Sequence, residues 1–223
     1  MIMLLKKSSA ALILLFSVNS YATPIVFTNS ATFNAAISSY TTATLDFEGS
    51  TALDLIANGG MLGGITFNYT SLYNLGISMQ IHNTYSATSG INYLGTDTGG
   101  AFLGGDAFSL SFAPVNAFGL FFLSGSELLD GDISLTVGTT ITSLSSVFDA
   151  QLTDGSFVYF LGLLDDTNAF GSVNVVSLSG GNFEFNVDDI TTTSTAYQVP
   201  TPPVLWLLLI GFMPLLRNRK TNA

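Results

Sequence analysis

Between residues 43 and 190, short runs alternate apolar and polar positions, and glycine-rich breaks separate the runs. A period of two marks a half-buried strand, because successive side chains leave opposite faces of the pleat. Strands are predicted over residues 44–48, 65–70, 77–83, 91–95, 107–112, 117–123, 133–137, 157–163, 173–178 and 183–190. A further short strand is predicted over 23–28, from Ile25, Val26 and Phe27. Turn signals fall between strands at Asn58-Gly59-Gly60, Gly99-Gly100, Gly104-Gly105, Asp130-Gly131, Asp154-Gly155 and Gly180-Gly181-Asn182. One stretch has a helical period instead. Phe33, Ala36 and Ile37 share a face across residues 31–38, and Asn29 or Ser30 stands where an N-cap belongs. Many short strands, regular turns and one short helix predict an all-β domain, an antiparallel β-sandwich.

Three segments depart from this pattern. Residues 1–22 carry Lys6 and Lys7, an apolar core over 10–16, and Ser20-Tyr21-Ala22 before Thr23. This is the layout of a secretory signal peptide, with a core too short for a membrane anchor. Residues 191–198 are uncharged and rich in Thr and Ser, and read as a linker. Residues 199–220 join a proline-rich hinge, an apolar run over 204–216 and a basic end. That run is roughly 20 Å long as a helix, short of the ~30 Å hydrocarbon core. It predicts a short transmembrane helix, with Trp206 near its outer edge and the cations held in the cytoplasm. The β-sandwich is thus expected over residues 23–190, between a signal helix and a C-terminal hydrophobic helix.

Charge sharpens the division. The chain has five Lys and Arg against fifteen Asp and Glu, a net charge of −10. All five cations, Lys6, Lys7, Arg217, Arg219 and Lys220, lie in the two ends, and all the acids lie from Asp46 to Asp189. The exported domain has no side-chain counter-cation but His82, once protonated. Nucleic acid and anionic lipid are excluded as partners, because nothing there neutralises phosphate. A carboxylate taken out of water must find backbone donors or a metal ion. There is no cysteine, so disulfides, zinc thiolates and cysteine nucleophiles are ruled out.

The C-terminal segment resembles the PEP-CTERM sorting signal of Gram-negative bacteria. That signal has a Val-Pro-Glu-Pro-like motif, a short hydrophobic segment and a terminal Arg/Lys cluster. The matching residues are Val199, Pro200, Thr201 and Pro202, then Leu205-Trp206-Leu207 and Gly211, then Arg217, Arg219 and Lys220, with Thr201 at the family's Glu position. The resemblance implies an exosortase partner, a membrane-embedded transpeptidase-like enzyme that cleaves near the motif. It also implies export through the inner membrane to the envelope, cell surface or extracellular matrix, in association with exopolysaccharide or biofilm. Contact with the membrane would run through the C-terminal segment before processing.

Candidate chemistry lies in three places. Leu45-Asp46-Phe47-Glu48-Gly49 and Phe183-Glu184-Phe185-Asn186-Val187-Asp188-Asp189-Ile190 sit at opposite ends of the domain. Alternation in the second puts Asp189 on the same face as Phe183, Phe185 and Val187, so it is expected to point inward. These ends resemble the first and last strands of jelly-roll carbohydrate-binding modules, which in some members lie side by side. That resemblance implies a structural Ca²⁺ held by Glu48 and one of Asp188 or Asp189. His82, the single histidine, is expected on a polar face with Ser78 and Gln80, near Tyr69, Tyr73, Tyr85 and Tyr93. Amphipathic rings on an exposed face are how sugar binders stack on pyranoses, so Tyr69, His82, Tyr85 and Tyr93 are the candidate ligand-binding residues. Asp97, Asp106, Asp130 and Asp132 read as solvated turn acids. An enzyme is not expected. There is no Gly-x-Ser-x-Gly elbow to serve His82, and the spacing of Glu48, Glu127 and Glu184 does not single out a glycosidase pair. The reading is a non-enzymatic surface or matrix protein; a carbohydrate-binding module is the alternative and a weak hydrolase the third.

Overall fold

A computed structural model of the chain describes residues 24–69, residue 72 and residues 76–193. The signal peptide, the sorting residues 199–220 and the apolar run 204–216 lie outside them. Among the described residues no helix is long and apolar enough to cross a membrane. In chain order the first strands are β1 (Ile25–Phe27), β2 (Thr42–Leu45), β3 (Leu55–Ile56), β4 (Gly60–Leu62), β5 (Ile65–Asn68), β6 (Met79–His82), β7 (Tyr93–Thr96) and β8 (Phe102–Leu103). There follow β9 (Ala107–Val115), β10 (Ala117–Ser124), β11 (Ile133–Val137), β12 (Thr140–Ser143), β13 (Ala150–Gln151), β14 (Phe157–Leu164), β15 (Phe170–Ser177) and β16 (Glu184–Thr193). The helix α1 (Ser30–Ala36) follows β1.

The strands form the expected antiparallel β-sandwich. One sheet runs β1-β14-β10-β16-β7-β6-β3, with β2 and β8 also paired to β16 and β13 to β14. The other runs β12-β11-β15-β9-β5-β4. Alternation explains how they face each other. Phe118, Leu120 and Phe122 of β10 and Tyr159, Leu161 and Leu163 of β14 meet Phe108 and Leu110 of β9 and Val173 and Val175 of β15 in one core. The outer face of the second sheet shows Asn68, Ser109, Ser111, Thr136 and Asn174 between those positions, none of them fully buried.

The first sheet is covered on its outer face as well. There Phe33 of α1 and its C-cap residue Ile37 pack on Ala117, Phe160 and Leu164. Two paired glycines make room for the helix: Gly119 of β10 stands opposite Gly162 of β14. A Cβ on Gly119 would come within 2.6 Å of the Phe160 ring, and one on Gly162 within 2.8 Å of the Phe33 ring. Asn29 caps α1 by accepting from the Thr32 N–H at 3.1 Å. Asp149, in the turn before β13, accepts from the Ser30 N–H (3.2 Å), the Ser30 hydroxyl and the Asn29 amide. A carboxylate at an N-terminus suits the exposed N–H groups there, and this one ties the helix to the far part of the chain.

Three expectations need correction. β16 does not stop at Ile190; Thr191, Thr192 and Thr193 pair with Thr44, Ala43 and Thr42 of β2. The start of the expected linker is strand because β-branched threonines suit a pleated, half-buried surface, here between β10 and β2, and the Thr193 hydroxyl accepts from the Ala117 N–H at 2.9 Å. Asp106 and Asp132 are buried rather than solvated. Each closes a turn by accepting from the N–H three residues earlier, Leu103 and Leu129, at 2.7 Å. Five strands of two to four residues (β3, β4, β8, β12 and β13) were not expected, being too short to show a period.

Helix docking predicts a stability difference between two glycines. Gly162→Ala should lower unfolding free energy by about 1–3 kcal/mol through overpacking. Gly49→Ala, where a Cβ meets nothing within 4 Å, should change it little. Urea unfolding of both variants against the parent checks this.

Candidate functional site

One loop, residues 83–92 between β6 and β7, gathers most of the candidate residues. It reads Asn-Thr-Tyr-Ser-Ala-Thr-Ser-Gly-Ile-Asn, polar enough to lie over a sheet but without a period of its own. It lies over the outer face of the first sheet, beside β16. Carboxylates from separate segments hold it there.

The first is Glu48. Its Oε1 accepts from the Ile91 N–H (2.8 Å) and the Asn92 N–H (2.6 Å). Phe47 before it is buried with φ +60°, in the left-handed region that non-glycine residues avoid. The Asn92 amide steadies this bend by donating to the carbonyls of Phe47 (3.2 Å) and Ser50 (3.1 Å). Gly90 is required on the loop side: a Cβ there would stand 2.2 Å from the Glu48 carboxyl carbon.

The second anchor is the Asp188-Asp189 pair, and it corrects the expected facing. Between Gly119 and Phe121 the register of β10 against β16 slips, so Asp189 and Ile190 together oppose Leu120. This is a β-bulge, with Asp189 at φ +46°. The extra residue returns Ile190 to the core and leaves Asp188, not Asp189, as the fully buried acid, at 0% exposure. Asp188 Oδ2 accepts from the Thr88 N–H (2.8 Å), the Thr88 hydroxyl (2.6 Å) and the Ser89 N–H (3.3 Å). Its Oδ1 accepts from the Asp189 N–H (2.8 Å). The Ser89 hydroxyl donates to Asp189 Oδ1 (2.6 Å), and the Thr88 hydroxyl lies 2.8 Å from Asp189 Oδ2.

That geometry has a protonation consequence. The Thr88 hydroxyl has one hydrogen and stands between two carboxyl oxygens. It serves one of them; the other contact needs a hydrogen from the carboxyl side. Burial, and then the neighbouring Asp189 charge, push the Asp188 pKa up to about 7 against the lowering effect of the Thr88 and Asp189 donors. Near neutral pH a proton on Asp188 completes the chain Asp188 to Thr88 to Asp189.

A third anchor is Asp154, in the turn before β14. The Ser156 N–H (2.9 Å) and the Ser86 hydroxyl hold its pKa below the usual carboxylate value.

The aromatic candidates divide. His82, Tyr93 and Tyr85 form a ladder with ring centroids 6.0 and 6.1 Å apart. His82 is 8% exposed, not on an open polar face. Its Nε2 lies 2.8 Å from the Thr96 carbonyl, and Gly100 packs against the ring. Tyr93 is fully buried and its pKa is raised, chiefly by that burial. Its hydroxyl has no hydrogen bond of full geometry, although Thr84 and the Tyr85 backbone lie close enough to offset part of the effect. Tyr69 lies apart: buried, its hydroxyl donates to the Ile56 carbonyl at 2.7 Å. Only Tyr85 offers a ring to solvent, at 49% exposure.

Thr88, Ser89, Asn92 and Asp154 were not foreseen as site residues. For Thr88 and Ser89 the signal was the polar run 83–90, which has no period; for Asp154 it was only the Asp154-Gly155 turn.

The calcium set Glu48, Asp188 and Asp189 reaches this same loop from the turn after β2 and from β16, strands that pair side by side. The groups that meet Glu48 and Asp188 are N–H and O–H donors, whereas calcium takes six to eight oxygen ligands. Among the described residues no three His, Asp or Glu side chains are placed to share an ion.

No protein-family model and no curated protein matches the chain. Among solved structures it is similar to a cleaved adhesin domain of Lys-gingipain, at 12% identity and a TM-score of 0.45, over 68% of this chain and 97% of that one. It is also similar to part of the catalytic domain of a GH87 α-1,3-glucanase, crystallised with tetrasaccharides, at 13% identity and a TM-score of 0.31, over 69% of this chain and 31% of that one. Both likenesses are distant.

Two predictions follow from the anchors. Asp188 has a folded pKa above its unfolded value of 3.8. Its unfavourable contribution is therefore absent below about pH 4, grows as pH rises and is complete above about pH 7. Asp188→Asn removes this dependence. The parent should lose more stability than the variant between pH 4 and 8, by an amount of order 4 kcal/mol in the difference, read from urea midpoints. Second, melting temperatures in millimolar CaCl₂ and in EDTA should coincide. An ion at about a hundred times its Kd would add ~2.7 kcal/mol, a rise of several degrees.

Proposed function

We propose that this chain is an exported, non-enzymatic β-sandwich, delivered by an exosortase-type system to the cell surface or extracellular matrix. The observation that carries this reading is the partition of charge. Every Lys and Arg lies in the two end segments that resemble targeting signals, and the folded middle has none. Export leaves a polyanion that repels its own copies and other anionic surfaces. The absence of lysine and arginine also removes any direct grip on nucleic acid or phosphate.

The chemistry of the middle domain supports a binding or structural role over a catalytic one. The buried carboxylates are spent on backbone N–H groups: Asp188 on those of the loop 83–92, Asp106 and Asp132 on those of their own turns. His82 faces a backbone carbonyl instead of a nucleophile. Glu127 and Glu184 are exposed, where a carboxyl keeps an ordinary solvent environment. A polysaccharide matrix is the partner that suits such a domain, since neutral sugar needs no counter-cation.

Intact mass of the protein from medium, membrane and cytoplasm tests the reading, in cells with and without the sorting enzyme. The expected result is a chain from Thr23 to about residues 199–203 at the surface, seen only when the enzyme is present. A chain that keeps Arg217, Arg219 and Lys220 in every fraction, or that stays in the cytoplasm, would overturn it.

A further inference from the structure

β16 carries a polar stripe on its outer face. Glu184, Asn186 and Asp188 alternate there with Phe183, Phe185 and Val187 in the core. The loop 83–92 roofs this stripe at one end only: Asp188 is sealed beneath Thr88 and Ser89, Asn186 is nearly buried, and Glu184 is open to solvent. Where the roof ends, two cavities meet. The smaller, about 150 Å³, lies between Tyr85, Ser86, Ser156 and Asn186. The larger, about 540 Å³, continues past Ser126 to Gly180, Gly181 and Asn182. They share Ser124, Gly125 and Glu184, so they are two parts of one cleft, in the size range of small-ligand sites.

We propose that this cleft binds a neutral glycan, with Tyr85 as its stacking platform and Glu184, Asn182 and Ser126 as partners for sugar hydroxyls. The inference deepens the matrix reading above and rests on it. The lining argues for the ligand class. It offers hydroxyls, amides, one carboxylate and an exposed ring, and no cation. Phosphate, sulfate and uronate would meet only Glu184 and the net negative charge of the domain. A lipid or an apolar peptide would need an open hydrophobic wall; Leu103, Leu123 and Phe183 line part of the cleft, but apart from Tyr85 its solvent-exposed residues are serine, glycine, asparagine and glutamate. A neutral polyol has an apolar ring face for Tyr85 and hydroxyls for the rest.

The cleft is preorganised. The inner face of Tyr85 is stacked on buried Tyr93, with planes 26° apart, so the ring is set before a ligand arrives. Its loop is pinned by Glu48, Asp154 and Asp188 on three sides. The Asn186 amide at the back donates to the carbonyls of Gly100 (2.8 Å) and Phe185 (3.2 Å). On the far side glycines bring two backbones together: a Cβ on Gly104 would stand 2.2 Å from the Gly181 carbonyl oxygen. Little order has to be imposed on binding, which favours affinity from a shallow, polar contact.

The test is calorimetric titration of the full chain with maltohexaose, cellohexaose, laminarihexaose and mannohexaose, and with polygalacturonate as the acidic probe. At least one neutral hexasaccharide should bind. Tyr85→Ala should weaken it about tenfold, and Glu184→Gln and Asn182→Ala severalfold each, with melting temperature and circular dichroism unchanged. Ser109→Ala, on the opposite face of the sandwich, should bind as the parent does. Binding untouched by all three cleft variants would overturn the proposal, as would failure of all four neutral probes at millimolar concentration or a preference for polygalacturonate. Fractionation of the same cells separates the two readings. A surface-borne chain that binds none of the probes removes the cleft and leaves export standing; a cytoplasmic chain that binds them does the reverse.

Discussion

A buried carboxylate needs something positive or something that donates, and this domain contains neither lysine nor arginine. The backbone supplies the answer. Asp149 sits on the N-terminus of α1, Asp106 and Asp132 close turns on N–H groups three residues back, and Glu48 and Asp188 hold the loop 83–92. Hydrogen bonds to a charged acceptor are worth about 1.5–3 kcal/mol each, more than an exposed ion pair of about 0–1 kcal/mol; Asp188 stands apart, because burial keeps it protonated up to about pH 7. The acids are therefore the rivets of the fold, not only its solubilising charge. Such rivets join a side chain to a backbone, so they fix where the chain runs. An ion pair between two long side chains would fix much less.

The same constraint explains where reading the sequence succeeded. With no lysine or arginine in the domain, a buried acid was expected to need backbone donors or a metal; the inward acid was expected to be Asp189, and it is Asp188 that is buried, on backbone and hydroxyl donors. Alternation gave the strand faces wherever a run was long: Phe118, Leu120 and Phe122 of β10 and Val173 and Val175 of β15 lie in the core as their spacing requires. A cap was legible at Asn29 or Ser30 from the place before an apolar period, and Asn29 is the one that caps.

The failures share a cause: each depends on a partner that the local sequence does not contain. The bulge at Asp189 is set by register against β10, so counting by twos named the wrong aspartate. His82 has polar neighbours in sequence, but Gly100 and the Thr96 carbonyl cover it in space. Thr191, Thr192 and Thr193 look like linker until β2 is laid beside them. Gly119 and Gly162 stand inside predicted strands, but nothing local says what approaches them; their pairing makes the seat of α1. Glu184 was visible as an acid within the last strand. Its place at the mouth of a cleft depends on Tyr85, about a hundred residues earlier, and on the Gly180-Gly181 turn.

The outer face of the first sheet decides what the domain can offer a partner. Its central strands, β10 and β14, are apolar on both sides, so one side cannot be left to water. The helix covers one part, through Phe33 and Ile37. The loop 83–92 covers another, and it is polar, so it cannot be held by hydrophobic burial alone. Carboxylates beneath and beside it do that work, and their cost is a buried Asp188 whose proton is retained up to about neutrality. Where the loop ends, the covering stops short beside Ser124 and Glu184, and a polar gap results. A gap of that kind is expensive to leave dry and easy to fill with water or a polyol. The rigid Tyr85 at its edge tips the balance toward a ligand with a flat apolar face as well as hydroxyls, because water has no use for a preset aromatic ring.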